Sequence, residues 1–313
     1  MYLSSRTIKN LNAKFKELNA LRPIPSAQLK KIIEQFEIEM TYNSNAIEGN
    51  SLTMKETFWV IQEGLTIKDK PLKDHLEARN HKEALDFLYE LIDKDAHNTV
   101  SEHLIRQLHQ LVVQDSQKEI AGKFREGEVY ISGANHRPPA GFDVPLHMSE
   151  LIKWLQENEK IVHPVELAAI LHHKFVHIHP FWDGNGRVGR LLMNIIILQA
   201  GYPLAIILRN DRKRYYRVLA LADEGKYKTL SEMVAQAVLR SLSIYLKILK
   251  PQTSKMENED YISLKELSKK YTLFSENYLR KLANLGKLEA FKEGRNWLSS
   301  EKALQSYIDS LKE

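Results

Sequence analysis

The chain has 313 residues, with 45 Lys and Arg set against 40 Asp and Glu, and no cysteine. Without cysteine it has no disulfide, no thiolate zinc site and no cysteine nucleophile, which suits a reducing compartment. Its 43% hydrophobic and 27% charged residues are those of a soluble globular protein with room for two domains, and a net charge of +5 suits a polyphosphate ligand without arguing for nucleic acid.

Residues 1–6 lack the apolar core of a signal peptide, and the apolar run around 195–197 is too short to span a bilayer, so a cytoplasmic location without membrane contact is expected. Apolar residues at helical spacing predict a helix over 28–40 with Ser26 as its cap, then helices over 76–92 and 100–113. Residues 122–133 alternate β-formers between glycines, a hairpin pattern closed by Pro138 and Pro139. Helices follow over 146–158 and 165–177, the latter with Leu167, Ile170, Leu171 and Phe175 toward the core. Another spans 187–200 with Gly201 just past its end, and one more ends near Asp223. Residues 251–260 are polar and aperiodic and read as a linker. Beyond it, Ser263 to Glu266 is a capping box, and Ser275 opens a helix that carries Tyr278, Leu279 and Leu282 inward and ends near Gly286. Residues 288–291 and 296–298 form a hairpin around Gly294, and a last helix starts at Ser300. The fold class expected is mainly α: a helical core with one small hairpin over 1–250, then a small helix-helix-hairpin domain over 261–313.

The richest segment is His179-Pro180-Phe181-Trp182-Asp183-Gly184-Asn185-Gly186-Arg187-Val188-Gly189-Arg190. Its Gly-Asn-Gly turn lets the backbone approach a ligand closely, and a helix opening there offers free amides and a positive dipole end to an anion. Arg187 and Arg190, three apart, share a helix face and can grip successive phosphates. Asp183 is a hard oxygen ligand suited to Mg²⁺, and His179 is suited to accept a hydroxyl proton. No Walker Gly-Lys-Ser/Thr ending is present. His173 and His177 have metal-ligand spacing, but Lys174 stands where a zinc hydrolase motif needs glutamate, so His172, His173 and His177 read as helix-face or core residues.

The twelve-residue string resembles the signature of the Fic family, H-P-F-x-[DE]-G-N-G-R-x-x-R, with every specified position filled. The resemblance implies a helical core and transfer of AMP from ATP to a Ser, Thr or Tyr hydroxyl of a protein. It implies His179 as general base, Asp183 as Mg²⁺ ligand, the amides from Gly184 through Asn185 and Gly186 to Arg187 as the anion hole, and Arg187 and Arg190 on the outer phosphates. Upstream, Ser44, Glu48 and Gly49 are similar to the family's inhibitory motif, [ST]-x-x-x-E-[GN], whose glutamate takes the second arginine away from the γ-phosphate. Read without the family, this stretch is a helix end with Gly49 past it. The 122–133 hairpin resembles the Fic flap, which would lay Val129, Tyr130, Ile131 and Ser132 against the nucleotide or the target backbone. Tyr215 and Tyr216 either stack on adenine or belong to the core, with core favoured for one of them. Asp223 stands where animal relatives usually have an asparagine near the nucleotide, so that contact stays open.

The organisation implied is an N-terminal helical region over 1–100 with the inhibitory motif at 44–49, a catalytic core over 101–250, the linker, and a tail similar to a winged helix-turn-helix. Candidate partners are ATP, a target protein that includes the chain itself, and a second copy of the chain. DNA is a candidate for 261–313 through Arg280, Lys281, Lys287, Lys292 and Arg295, although acids nearly balance bases there. Three alternatives remain: removal of AMP by the same site, transfer of another phosphate-containing group, and a DNA-binding regulator whose core senses nucleotide.

Overall fold

The computed structural model describes residues 2–93, 100–131, 136–250, 261–284, 287–293 and 296–309. They fall into two compact units, Met1–Leu249 and Lys250–Glu313. The linker stretch 251–260, Ser132, Gly286, Gly294 and Arg295 lie outside the described residues.

In the first unit the chain runs through α1 (Ser5–Asn19), α2 (Ser26–Ile47), α3 (Met54–Gln62), α4 (Leu72–Asp93), α5 (Glu102–Val113), α6 (Val144–Asn158), α7 (Pro164–Ile178), α8 (Asn185–Gln199), α9 (Arg212–Asp223) and α10 (Lys228–Leu249). The centre is the α7–α8 hairpin. Buried residues run almost without a break along α8, from Arg187 to Ile197, so this helix has no polar face and needs neighbours all round. α2, α4, α5 and α7 provide them, while α6 and α10 flank α7. Gly189 sets how closely α7 and α8 approach: a Cβ there would lie 2.9 Å from His172 Nδ1 and 2.9 Å from Val176 Cγ1. The start of the chain is pinned to this core by buried Glu166, which accepts from the backbone N–H groups of Tyr2 and Leu3.

Two expectations need correction in this unit. α2 begins at Ser26 itself, behind Pro25, with no side-chain cap, and continues to Ile47 instead of stopping at Met40. Its polar end (Thr41 to Asn45) has weak helix propensity, but burial overrides it. Asn43 and Asn45 donate their side-chain NH2 groups to carbonyls one turn back, Glu39 O and Thr41 O. The described part of the expected hairpin, residues 122–131, carries no strand, and residues 132 and 133 lie outside the described residues. Side chain to main chain bonds from Arg125 hold the described part, as described below.

The second unit has its own core of Leu264, Leu267, Leu279, Leu282, Leu288 and Leu304. It comprises β1 (Ile262–Ser263), α11 (Leu264–Lys270), α12 (Glu276–Asn284), β2 (Ala290–Glu293), β3 (Asn296–Ser299) and α13 (Glu301–Asp309). The antiparallel sheet has the order β1-β3-β2, with Ile262 opposite Ser299 and Ala290 opposite the same residue. The capping box forms: Ser263 accepts from Glu266 N–H, and Glu266 accepts from Ser263 N–H. Tyr278 turns outward instead of inward, stacked on Phe274 with its hydroxyl 3.2 Å from that of Tyr307. Among the described residues, no helix is long and apolar enough to cross a membrane.

Candidate active site

α7 ends in an unusual way. His179 caps it in the left-handed conformation, φ 52° and ψ 58°, which side chains with a Cβ rarely adopt. The helix therefore stops at the residue that carries the imidazole. His179 Nδ1 lies 3.3 Å from Val176 O, and a carbonyl only accepts, so the proton sits on Nδ1 and Nε2 keeps its lone pair. Burial lowers the His179 pKa and outweighs the hydrogen bond to Val176 O, which raises it; the Arg125 cation lowers it further, against the smaller effects of Glu48 and Asp183. The imidazole is therefore neutral at physiological pH.

The loop from Pro180 to Gly184 is held from inside. Phe181 is fully buried and stacks on His109 at 3.7 Å. His109 Nδ1 accepts from Gly122 N–H, which leaves Nε2–H to donate to Asp183 O. The Asn185 side chain accepts from Phe181 N–H and donates to Phe181 O, so it braces the loop and faces inward rather than toward a ligand. Gly184, at φ 77°, makes the turn into α8.

Asp183 sits at the mouth of this turn. Gly184 N–H and Arg187 donate to Oδ1; Gln117 donates to Oδ2, with Lys73 Nζ 3.9 Å away. Burial raises its pKa, but Arg187 and these donors outweigh that and hold it below the usual carboxylate range. The carboxylate is thus ionised and partly exposed, a fitting ligand for a hard divalent cation.

Both motif arginines are buried, and each meets a carboxylate from the N-terminal helices. Arg190 Nη2 lies 2.8 Å from Glu48 Oε1, and the same guanidinium donates to Ser44 Oγ at 3.0 Å and Ser44 O at 2.7 Å. Arg187 Nη1 lies 3.1 Å from Glu77 Oε1. Burial opposes the charge on Arg190, but Glu48 and Tyr215 prevail and its pKa is raised. Glu48 caps α2, and Gly49 follows at φ 104°. The Glu48 carboxylate also rests on the first turn of α8, where a Cβ on Gly186 would collide with it. A helix N-terminus favours an anion, and here the anion is a side chain.

The other expected residues separate. Tyr215 is core: it is buried, with its hydroxyl 2.6 Å from His172 Nε2. Tyr216 is half-exposed and donates to Ile47 O, next to Glu48. Tyr130 is 79% exposed, with Val129 and Ile131 on either side, and Ser132 lies outside the described residues. Asp223 is engaged by two imidazoles, His173 at 2.9 Å and His177 at 2.8 Å. His136, His177 and Asp223 bring ligand-type atoms within 4.8 Å of one another, but the two rings stack face to face at 3.5 Å, so their in-plane lone pairs do not converge on one point. Glu77, Gln117, Lys73, His109 and Arg125 were not foreseen. Only Lys73 and Glu77 carried a local signal, an i, i+4 charge pair on α4.

Residues 99–197 match the Fic/DOC family. The chain carries a Fic domain. It is 33% identical over 245 residues to the protein adenylyltransferase Fic of Drosophila ananassae, covering 78% of this chain and 48% of that protein. It is 36% identical over 226 residues to that of Nematostella vectensis, covering 72% and 52%. The chain thus spans about half the length of the curated relatives it matches. Among solved structures, a Fic domain containing signaling protein from Bacteroides thetaiotaomicron superposes with a TM-score of 0.72 at 28% identity, over 79% of this chain and 100% of that one. The C. elegans protein Fic-1 gives 0.71 at 28%, over 80% and 74%. A Fic family protein from Desulfovibrio desulfuricans gives 0.63 at 25%, over 95% and 96%. The matched segment covers α7, the connecting loop and all but the last two residues of α8.

Proposed function

We propose that this chain is a protein adenylyltransferase that transfers AMP from ATP to a hydroxyl side chain of a protein, itself included, and that Glu48 restrains it. The observation that carries the reading is the ion pair of Glu48 with Arg190 on the first turn of α8. An internal carboxylate there stands in for a phosphate. Replacing it would return to a ligand both a guanidinium fork and a helix N-terminus. Arg187 Nε and Arg190 Nη1 are buried without a hydrogen-bond acceptor, which suits a site that receives an oxyanion.

In this mechanism His179 Nε2 accepts the proton of the acceptor hydroxyl. That oxygen attacks the α-phosphorus, a new P–O bond forms, and the bond to the leaving pyrophosphate breaks. Amides from Gly184 to Arg187 would receive the charge that builds on the phosphoryl oxygens, the Gly184 N–H once it leaves Asp183 Oδ1. Arg187 and Arg190 hold the outer phosphates. Asp183 would hold Mg²⁺, which when bound neutralises phosphate charge. Tyr216, beside Glu48, and the 129–132 segment are proposed nucleotide and acceptor contacts. Glu48, partly exposed at the same spot, also suits a hydrolytic use in which it orients a water that releases AMP from a modified protein.

For the tail, acids neutralise bases locally: Arg280 pairs with Glu276, and Lys270 with Glu301. That favours a protein contact, including one with a second copy, over a DNA backbone.

Intact mass spectrometry after incubation with Mg²⁺ and ATP tests the reading. Glu48→Gly should gain the mass of one AMP, at a rate about 10–100-fold above wild type, the range set by losing one charged hydrogen bond. Glu48→Gly with His179→Ala should lose the gain. The reading fails if Glu48→Gly binds ATP yet labels neither itself nor any protein of a cell lysate.

A further inference from the structure

Arg125 is 1% exposed, among the largest fully buried side chains of the described residues. A buried guanidinium normally meets a carboxylate, because desolvation of a charge is costly. This one faces main-chain carbonyls instead. Its Nε donates to His179 O at 2.7 Å, Nη1 to Gly127 O at 2.7 Å, and Nη2 to Pro139 O at 2.6 Å and Ile178 O at 3.4 Å. Its backbone N–H donates to Pro180 O at 2.9 Å.

Two of these carbonyls, those of Ile178 and His179, belong to the C-terminal end of α7, where no helical N–H remains to bond them. They lie at the φ 52° turn that carries His179. The other two, those of Gly127 and Pro139, belong to the segment that precedes and follows the exposed Tyr130. That segment is also fitted directly to the catalytic loop. A Cβ on Gly127 would lie 2.8 Å from the Trp182 ring, and one on Gly141 would collide with Glu126 O. One planar fork therefore joins the turn carrying His179 to the segment on which an acceptor would lie. A lysine, with a single ammonium, cannot span four carbonyls in this way.

We propose that Arg125 is a positioning residue: it fixes the left-handed turn that aims His179 and holds that turn at a set distance from segment 125–131. The proposal rests on the transferase reading for its kinetic consequence but not for its structural one. The kinetic arm compares Glu48→Gly with and without Arg125→Lys. The expected result is a kcat lowered 10-fold or more, with KM for ATP and ATP binding by calorimetry within about twofold, because Arg125 touches no phosphate-binding group. The structural arm needs no turnover. Hydrogen exchange mass spectrometry of the full chain without nucleotide should show faster exchange in peptides covering 126–131 and 178–183 in Arg125→Lys, and unchanged exchange over 191–197.

Gly127→Ala is the second variant. It displaces one end of the tie against Trp182 and leaves the arginine in place, and the same kcat loss and local exchange are expected. The proposal is overturned if kcat is unchanged, or if it falls only in step with a uniform rise of exchange across α7 and α8. If Glu48→Gly shows no AMP transfer at all, the transferase reading fails while the exchange pattern still decides whether Arg125 holds the turn.

Discussion

His179 shows how much of the site's chemistry is set by one residue's surroundings. Burial pushes its pKa below the ordinary imidazole value of about 6.5, and the neighbouring Arg125 cation pushes the same way. On the transferase reading the general base must be neutral, so transfer should fall as pH drops through the folded pKa and be flat above it. Glu48 opposes the depression, so removing it should move the limb further down. The pH profile of kcat/KM for Glu48→Gly should therefore have its acidic limb centred below about 6.5. A limb centred at or above that value would contradict the assignment of His179 as the neutral base. The partners of Arg187 and Arg190 follow similar logic. Unlike Arg125, these two buried guanidinium groups are neutralised by carboxylates, and Glu77 and Glu48 are those the fold brings to them.

At the scale of elements, the α7–α8 hairpin decides the geometry, and its closeness depends on Gly189. A methyl group there would press on His172 and Val176 at 2.9 Å, tighter than van der Waals contact. Gly189→Ala would gain helix propensity of about 1 kcal/mol, but overpacking a rigid interface costs about 1–3 kcal/mol. The expected net effect is a loss of up to about 2 kcal/mol, read as a lower urea midpoint with an unchanged m-value. An unchanged or raised midpoint would show that the two helices can separate freely at this point. The helices around the hairpin were legible because burying one face imposes apolar residues at 3.6-residue spacing, as in α5 and α6. The polar end of α2 was not legible as helix, since Thr41, Asn43, Ser44 and Asn45 are buried only because the fold covers them. β1, two residues long, is too short to display an alternating pattern. Segment 122–131 alternates like a hairpin, yet what holds it is Arg125 reaching carbonyls about fifty residues away, a long-range bond that no local pattern encodes. The string from His179 to Arg190 was readable because its residues lie side by side in sequence, whereas the contacts of Glu77 and Gln117 exist only once α4 and α5 pack on α8.

Across the whole molecule, the two units differ in how they answer to acid. The first unit buries His81 and His172, whose pKa values fall to about 3, and His109 and His173, whose values fall to about 4. Burial is the main cause in each, and the Arg187 and Arg190 cations add to it at His81. In the unfolded chain these imidazoles take up protons near pH 6.5; in the folded chain they stay neutral until pH 3–4. Their contribution to stability is therefore complete above about pH 6.5 and is lost progressively as pH falls below it. Each such group contributes a slope of up to about 1.4 kcal/mol per pH unit in that window. Residues 261–313 contain no histidine. Their depressed groups are carboxylates: Glu266 is held low by Ser263, and Glu301 by Lys270, so they matter only below about pH 4.5. Urea titrations read by hydrogen exchange mass spectrometry separate the two units. Between pH 6.5 and 4.5 the midpoint of the first unit should fall steeply while that of the second stays nearly level. His81→Gln should flatten the first unit's slope by about one proton, because it removes one buried imidazole while keeping an acceptor for Thr41. Parallel acid responses in both units, or a slope unaffected by His81→Gln, would mean that groups other than these buried histidines govern the acid stability of the catalytic unit.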